Sequence, residues 1–238
     1  MSFKVIESKE NKTYKDLVRL KKGDSKNGLF LIEGEDLVEE AKRENALEAL
    51  IVVDGTSVGT YPFPIYGLKQ GLYRELSSYQ SLPKMMGIAR KNMCTASQLG
   101  KKVIYLDGVQ DPGNVGTIIR TALSFSYSGV MLSNDSVSLY NNKTVQSTKG
   151  ALFHINIARG ELSELADLGY HIYLTTLDGE DERHLSSLEE PSCIVFGNEG
   201  RGVREKNMCL GKKIKIEMNG IDSLNVGVAA GIFMYRFK

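Results

Sequence analysis

Five polar side chains able to orient a substrate or hold charge fall in three short stretches, each at the end of a predicted strand. They are Asn114 and Arg120 in LDGVQDPGNVGTIIRTA (106–122), Glu199 in FGNEGRGV (196–203), and Ser223 and Asn225 in IKIEMNGIDSLNVGVAAGIFMYRFK (214–238). The cluster of Gly108, Pro112, Gly113, Asn114 and Gly116 forces an irregular loop that can turn backbone N–H groups toward an anion. Its spacing matches neither G-x-G-x-x-G nor a Walker loop, so it gives little support to a dinucleotide site. No Cys–His or Ser–His–Asp grouping occurs among these residues, which disfavours a hydrolase of the triad type. In a parallel sheet the carboxyl ends of the strands share one edge, so three such loops can converge on one ligand.

The elements needed to bring them together are legible from Val103 onward. Strands over 103–106, 130–132, 152–157, 172–175, 193–196 and 214–216 alternate with helical patterns over 115–125, 141–149 and 162–168, which predicts an α/β domain with a mostly parallel sheet. Asn219, Gly220, Asp222 and Ser223 are turn and N-cap types that open a last helix from about Leu224. That helix stacks Leu224, Val228 and Ile232 beside Ala229, Phe233 and Phe237, a face expected to be buried. Gly227 and Gly231, four apart, suggest close approach of another backbone or ordinary helix packing. Residues 1 to about 95 read as a smaller α+β unit, with a helix over 11–21, a strand over 29–32, a helix over 36–45 and a strand over 49–53. The polar stretch 94–102 reads as the linker, giving domains at 1–94 and 101–238.

Composition narrows the class. In 238 residues, 42% are hydrophobic and 25% charged, values of a folded globular chain with a sizeable core. A net charge of +1 argues against a strongly basic nucleic-acid coat and leaves room for a local patch. Such a patch is modest between Lys4 and Lys26, where eight Lys and Arg stand against four acids. Cys94, Cys193 and Cys209, like His154, His171 and His184, lack the spacing of a disulfide framework or a metal site. No signal-type run or membrane-length apolar stretch is present, so a cytoplasmic setting with no membrane partner is the default expectation.

Taken together, D-G-x-x-D-P-G-N-V-G-x-x-x-R-T-A (107–122), F-G-N-E-G-x-G (196–202) and I-x-M-x-G-x-x-S-L-N-V (216–226) resemble the three signature motifs of the SpoU/TrmH branch of the SPOUT methyltransferases, in the family's order. The first half, with RLKKGDSKNGLFLIEG (19–34), is similar to the ribosomal-protein-L30e-like substrate-binding domain of many members. The resemblance implies a C-terminal α/β knot, a deep trefoil knot in a mostly parallel sheet, preceded by a small α+β L30e-like domain. It also implies methylation of a ribose 2′-hydroxyl in RNA by S-adenosyl-L-methionine, with S-adenosyl-L-homocysteine as product, no metal, and a homodimer.

By the same resemblance Gly197, Asn198 and Gly200 approach the cofactor, Ile216, Met218 and Leu224 line its pocket, and Thr176 and Leu177 contribute to it. Arg120 matches the catalytic arginine, and Asn114, Glu199, Ser223 and Asn225 match the polar active-site positions. Glu217 and Gly227 stand where the family commonly has Pro and Ser, departures that bear on cofactor geometry. Arg19, Lys21, Lys22 and Lys26 are the expected RNA-binding cations of the first domain. A structured ribosomal RNA of the 23S type is the preferred substrate and tRNA the alternative. Two other classes compete: a nicotinamide-dependent oxidoreductase, which lacks its G-x-G-x-x-G, and a non-catalytic RNA-binding protein on the same fold.

Overall fold

The computed structural model describes residues 3–22, 28–220 and 223–238; Lys26 and Asp222 lie outside the described residues. In chain order the elements are β1 (Phe3–Ile6), α1 (Lys12–Lys21), β2 (Leu29–Glu33), α2 (Glu35–Arg43), β3 (Leu47–Val53), β4 (Ile65–Leu68), α3 (Gln70–Leu76) and β5 (Met86–Arg90). Then follow β6 (Lys102–Asp107), α4 (Pro112–Ser124), β7 (Gly129–Leu132), α5 (Asn142–Thr148), β8 (Asn156–Arg159), α6 (Leu162–Asp167), β9 (His171–Asp181), β10 (Ser192–Gly197), β11 (Lys212–Lys215) and α7 (Val226–Arg236). They form two compact units, Met1–Lys91 with Tyr140–Phe153, and Asn92–Leu139 with His154–Lys238.

In the first unit the sheet order is β1-β4-β3-β5-β2, with β1, β4 and β3 parallel and β5 antiparallel to both its neighbours. Helices α1 and α3 bury Tyr14, Leu17, Leu72, Tyr73 and Leu76 with Ile51, Leu68 and Ile88 of the sheet. The strand β1 escaped the sequence reading because only Ile6 of its four residues is buried, so no alternation shows.

Residues 140–153, which the sequence reading assigns to the second domain, join this unit. The rings of Tyr140 and Phe153 lie 4.7 and 6.1 Å from that of Phe30. Asn142 Nδ2 and Gln146 Nε2 each donate at 3.0 Å to Glu33, the first to its Oε1 and the second to its backbone oxygen. Glu33 is almost fully buried, and a buried carboxylate is tolerated only with donors around it; Ser77 Oγ and Ser78 N supply the rest at 2.9 Å. The strand expected over 152–157 begins only at Asn156, because Ala151–Phe153 is a single tight turn.

The second unit has the sheet order β11-β9-β10-β6-β7-β8, every neighbouring pair parallel. One face carries Val103, Tyr105, Leu174, Cys193 and Val195 into a core with Leu162 and Leu165 of α6. Ala96 and Leu99 belong to that core, so the stretch read as a linker is packed into this unit instead. Alternate residues point the other way, and there Phe196 meets Phe233 of α7 with ring centroids 5.9 Å apart.

The last helix differs from its expectation. Ala230, Phe233, Met234 and Phe237 are buried, while Val228 (53%), Ile232 (38%) and Tyr235 (59%) are exposed. The helix is apolar nearly all round, so periodicity could not say which side faces the core. Gly231 has nothing within 4 Å of where a Cβ would stand, so no backbone crowds it within one chain.

Candidate active site

The pairing of β6 with β10 sets the site. Asp107 and Gly197 are partners in that ladder, so the loops that follow leave the sheet side by side. The first turns into α4 through an Asp111 N-cap, whose Oδ1 accepts from Asn114 N at 2.8 Å, with Pro112 at the first helical position. The second closes as a small hairpin. Asn198 and Gly202 exchange backbone hydrogen bonds of 3.0 and 2.9 Å, and Asn198 Oδ1 accepts from Gly200 N and Arg201 N at 3.0 and 3.1 Å. Asn198 Nδ2 then donates to the oxygen of Gly108 at 2.8 Å, fastening one loop to the other.

A chain of side chains runs across the loop mouths. Glu199 Oε1 accepts from Asn114 Nδ2 at 3.1 Å and from Asp111 N at 3.3 Å, and its Oε2 from Gln110 N at 3.4 Å. Asn114 Oδ1 accepts from Asn225 Nδ2 at 3.0 Å. Asn225, rather than the expected Ser223, caps α7, accepting from Gly227 N at 2.9 Å and Val228 N at 3.3 Å. One carboxylate and two amides thus join all three stretches. Partial burial pushes the Glu199 carboxyl up, but its own backbone N–H, Asn114 and the amides of Gln110 and Asp111 outweigh that and hold it below its ordinary value.

Beside this chain lies a cavity of about 580 Å³. Thr176, Leu177, Gly197, Asn198, Gly200, Ile216, Met218 and Leu224 all line it, together with Glu199 and Ser223. Its wall over Thr175–Asp178 arises from the β9–β11 ladder. Lys213 pairs with Leu174 but Ile214 with Glu180, so residues 175–179 bulge away from the sheet. Phe196, Val226 and Phe233 add apolar surface. The size suits a ligand of nucleoside-plus-amino-acid dimensions, and the combination of apolar wall and glycine backbone suits a flat base with a polar tail. Glu217 is not part of the lining and pairs with Lys215 at 2.7 Å, and a Cβ at Gly227 would stand 3.2 Å from Asn225 Oδ1.

Two groups of expected residues fall elsewhere. Arg120 is exposed on α4, does not line the cavity, and makes no hydrogen bond or ion pair through its guanidinium among the described residues. In the first unit Arg19 pairs with Asp16 at 3.3 Å and Lys22 is exposed. Lys21 has its ammonium committed to the backbone oxygens of Glu75 and Ser77 at 2.8 and 3.0 Å, and so serves that unit's own structure. Sequence reasoning missed Asp107, Arg204 and Asn207, which meet beneath the hairpin; Asp107 enters that reasoning only as the first residue of a motif. Among the described residues no helix is long and apolar enough to cross a membrane, and no cluster of His, Cys, Asp and Glu is arranged to hold a metal ion.

Residues 101–235 match the SpoU rRNA Methylase family. The 23S rRNA (guanosine(2553)-2'-O)-methyltransferase RlmP of Bacillus subtilis is 33% identical over 253 aligned residues, covering 99% of both chains. An uncharacterized tRNA/rRNA methyltransferase of Archaeoglobus fulgidus is 40% identical over 147 residues, 58% of this chain and 65% of its own. The crystal structure of an AdoMet-bound rRNA methyltransferase from Sinorhizobium meliloti superposes with a TM-score of 0.85 at 25% identity, over 98% of this chain and 97% of that one. With its motif loops gathered around one cavity and a relative matched from end to end, this chain belongs to the SpoU rRNA Methylase family.

Proposed function

We propose that this protein transfers the methyl group of S-adenosyl-L-methionine to a ribose 2′-hydroxyl of 23S-type ribosomal RNA, releasing S-adenosyl-L-homocysteine. The observation that carries the reading is the Glu199–Asn114–Asn225 chain at the rim of the 580 Å³ cavity. End-to-end similarity to a 23S rRNA 2'-O-methyltransferase supports the choice of RNA. Bound in the cavity, the donor supplies an electrophilic methyl on a positively charged sulfur. The backbone of Gly197, Asn198 and Gly200 and the side chains of Thr176, Leu177, Ile216, Met218 and Leu224 would hold it.

The protein's own task is alignment, which can supply about 7–11 kcal/mol in well-oriented reactions. Glu199 accepts four hydrogen bonds and its proton affinity is lowered, so it is a poor general base; it holds Asn114 in one orientation instead. Asn114 and Ser223 orient the reacting groups at the rim. Arg120 clamps an RNA phosphate beside the 2′-hydroxyl, and that phosphate helps take the proton as the O–C bond forms and the S–C bond breaks.

Several parts of the reading extend it. Residues 197–202, with Ile216, Met218, Ser223 and Leu224, line one cavity, which suits the trefoil knot the motifs imply. A homodimer would cover Val228, Ile232 and Tyr235 and bring Arg120 to the partner's cavity; Arg120 stands about 9 Å along α4 beyond Asn114. The first unit acts as an L30e-like RNA-positioning domain through Arg19 and Lys22, and the reaction takes place in the cytoplasm. The test is transfer of labelled methyl from the donor to 23S rRNA of cells lacking the gene, with mapping of 2′-O-methyl positions. One new ribose methylation is expected, and incorporation into a base, or none into RNA, would overturn the reading.

A further inference from the structure

Beneath the hairpin, outside the lining of the donor cavity, a part-buried arginine meets a buried carboxylate in an ion pair that the methyl-transfer mechanism does not use. Asp107 is fully buried. Its Oδ1 accepts from Arg204 Nε at 2.5 Å, and its Oδ2 accepts from Arg204 N at 2.8 Å and from Asn207 Nδ2 at 2.9 Å. The other guanidinium nitrogens of Arg204 reach Asp135 Oδ1 at 2.9 Å and the Tyr105 hydroxyl at 3.4 Å. Asp135 Oδ1 also accepts from Ser133 Oγ at 2.7 Å, and Ser133 Oγ accepts from Gly108 N at 2.8 Å. The network therefore begins and ends on the loop that leads to Asn114.

Both ends of the hairpin hang on one residue. Gly197, where it begins, is paired in the sheet with the backbone of Asp107; Arg204, just past its end, is held by the Asp107 side chain. A buried ion pair contributes little net stability over well-packed apolar groups, since desolvation offsets the attraction. What it does supply is a single geometry, because a forked guanidinium and two carboxylates satisfy each other in one arrangement only.

We infer that Arg204, held by Asp107 and Asp135, is a positioning residue that keeps the 198–202 hairpin closed in the shape that receives the donor. This rests on the proposed methyl-transfer function. Arg204 lies outside the lining of the donor cavity, whereas Asn198, Glu199, Gly200, Arg201 and Gly202 are part of it. Loosening the pair therefore acts on donor binding and leaves RNA binding alone. Lysine at 204 keeps one charge near Asp107 but cannot also reach Asp135.

The experiment compares wild type with Arg204→Lys and Asp135→Asn, the second at a half-exposed carboxylate whose loss spares the buried pair. Donor affinity is measured by calorimetric titration of S-adenosyl-L-methionine, KM is measured for donor and RNA, and hydrogen exchange is followed at the amides of Gly200, Arg201 and Gly202 in the ligand-free protein. Arg204→Lys is expected to weaken donor binding about tenfold or more, leave the RNA KM within about twofold, and speed exchange at those amides by a similar factor. Asp135→Asn is expected to do the same more weakly. Unchanged donor affinity and unchanged exchange in both variants would overturn the inference, as would a uniform loss of active protein with kinetic constants of the surviving fraction unaltered. Failure of the wild type itself to bind the donor would count against the methyl-transfer reading, which separates the two outcomes.

Discussion

Replacing Gly197 by alanine tests whether the hairpin is held by contact with its own backbone. A Cβ there would stand 2.1 Å from the carbonyl carbon of Gly202, 2.2 Å from Val203 N and 2.5 Å from the Gly202 oxygen. Ordinary carbon contacts are about 3.5–4.0 Å, so the shortfall exceeds an ångström and the obstacle is main chain that cannot swing aside. The hairpin must open, losing the two Asn198–Gly202 backbone bonds at about 1 kcal/mol each, with about 1–3 kcal/mol more for displaced packing. If the donor binds only the closed form, about 3 kcal/mol weakens its affinity more than a hundredfold. Gly200→Ala is the control, because its nearest neighbour is Asn198 Oδ1 at 3.7 Å and its φ is not positive. Thermal melting and donor titration should separate the pair: Gly197→Ala loses both stability and affinity, while Gly200→Ala keeps its melting temperature and loses affinity only through crowding of the ligand. Wild-type affinity in Gly197→Ala would refute the reasoning.

Other perturbations probe the neighbouring contacts. Because the Glu199 carboxyl is held below its ordinary value of 4.5, its stabilising effect is complete above that pH and fades as pH falls through the depressed value. The melting-temperature gap between wild type and Glu199→Gln should therefore be constant near neutrality and narrow as pH falls below 4.5; a gap that does not narrow in acid contradicts the ionic role. Asn225→Ala loses the cap of α7, at about 0.5–2 kcal/mol, whereas Asn225→Asp keeps the cap but drops the donor to Asn114. Methyl transfer should fall in both and stability only in the first. Co-expressed Arg120→Ala and Gly197→Ala chains should recover about a quarter of wild-type activity if each arginine serves the other subunit, and none if it serves its own. Lys21→Ala should destabilise the first unit by about 1–2 kcal/mol, while Lys22→Ala should weaken RNA binding in low salt without changing the melt.

The loops were readable because their chemistry is local. The spacing of Gly197, Gly200 and Gly202 marks a tight turn whatever surrounds it, whereas the irregular loop expected through Gly116 is helical from Pro112, because Asp111 caps the helix and proline suits its first position. Thus the residues expected at the site did converge, Arg120 apart. Pairings across many residues were not readable: Asp107 and Arg204 are 97 positions apart, and neither neighbourhood advertises a buried ion pair. The facing of α7 was hidden for a different reason. With Val228, Ile232 and Tyr235 as apolar as Ala230, Phe233 and Met234, its sequence holds no contrast between inside and outside. The stretch 94–102 reads as a spacer because it is polar on balance, yet Ala96 and Leu99 seat it in the core, and Cys94 packs against that core.

The capture of residues 140–153 by the first unit has a practical consequence for anyone dissecting the molecule. The polypeptide passes between the units at three points rather than one, so no single cut in the backbone separates them cleanly. A fragment ending near Lys91 would leave the ring of Phe30 and the carboxylate of Glu33 without the cover they have in the whole protein. Chimaeras that exchange the first unit with that of a relative should carry two pieces of sequence, the leading one and the small helical excursion, or neither.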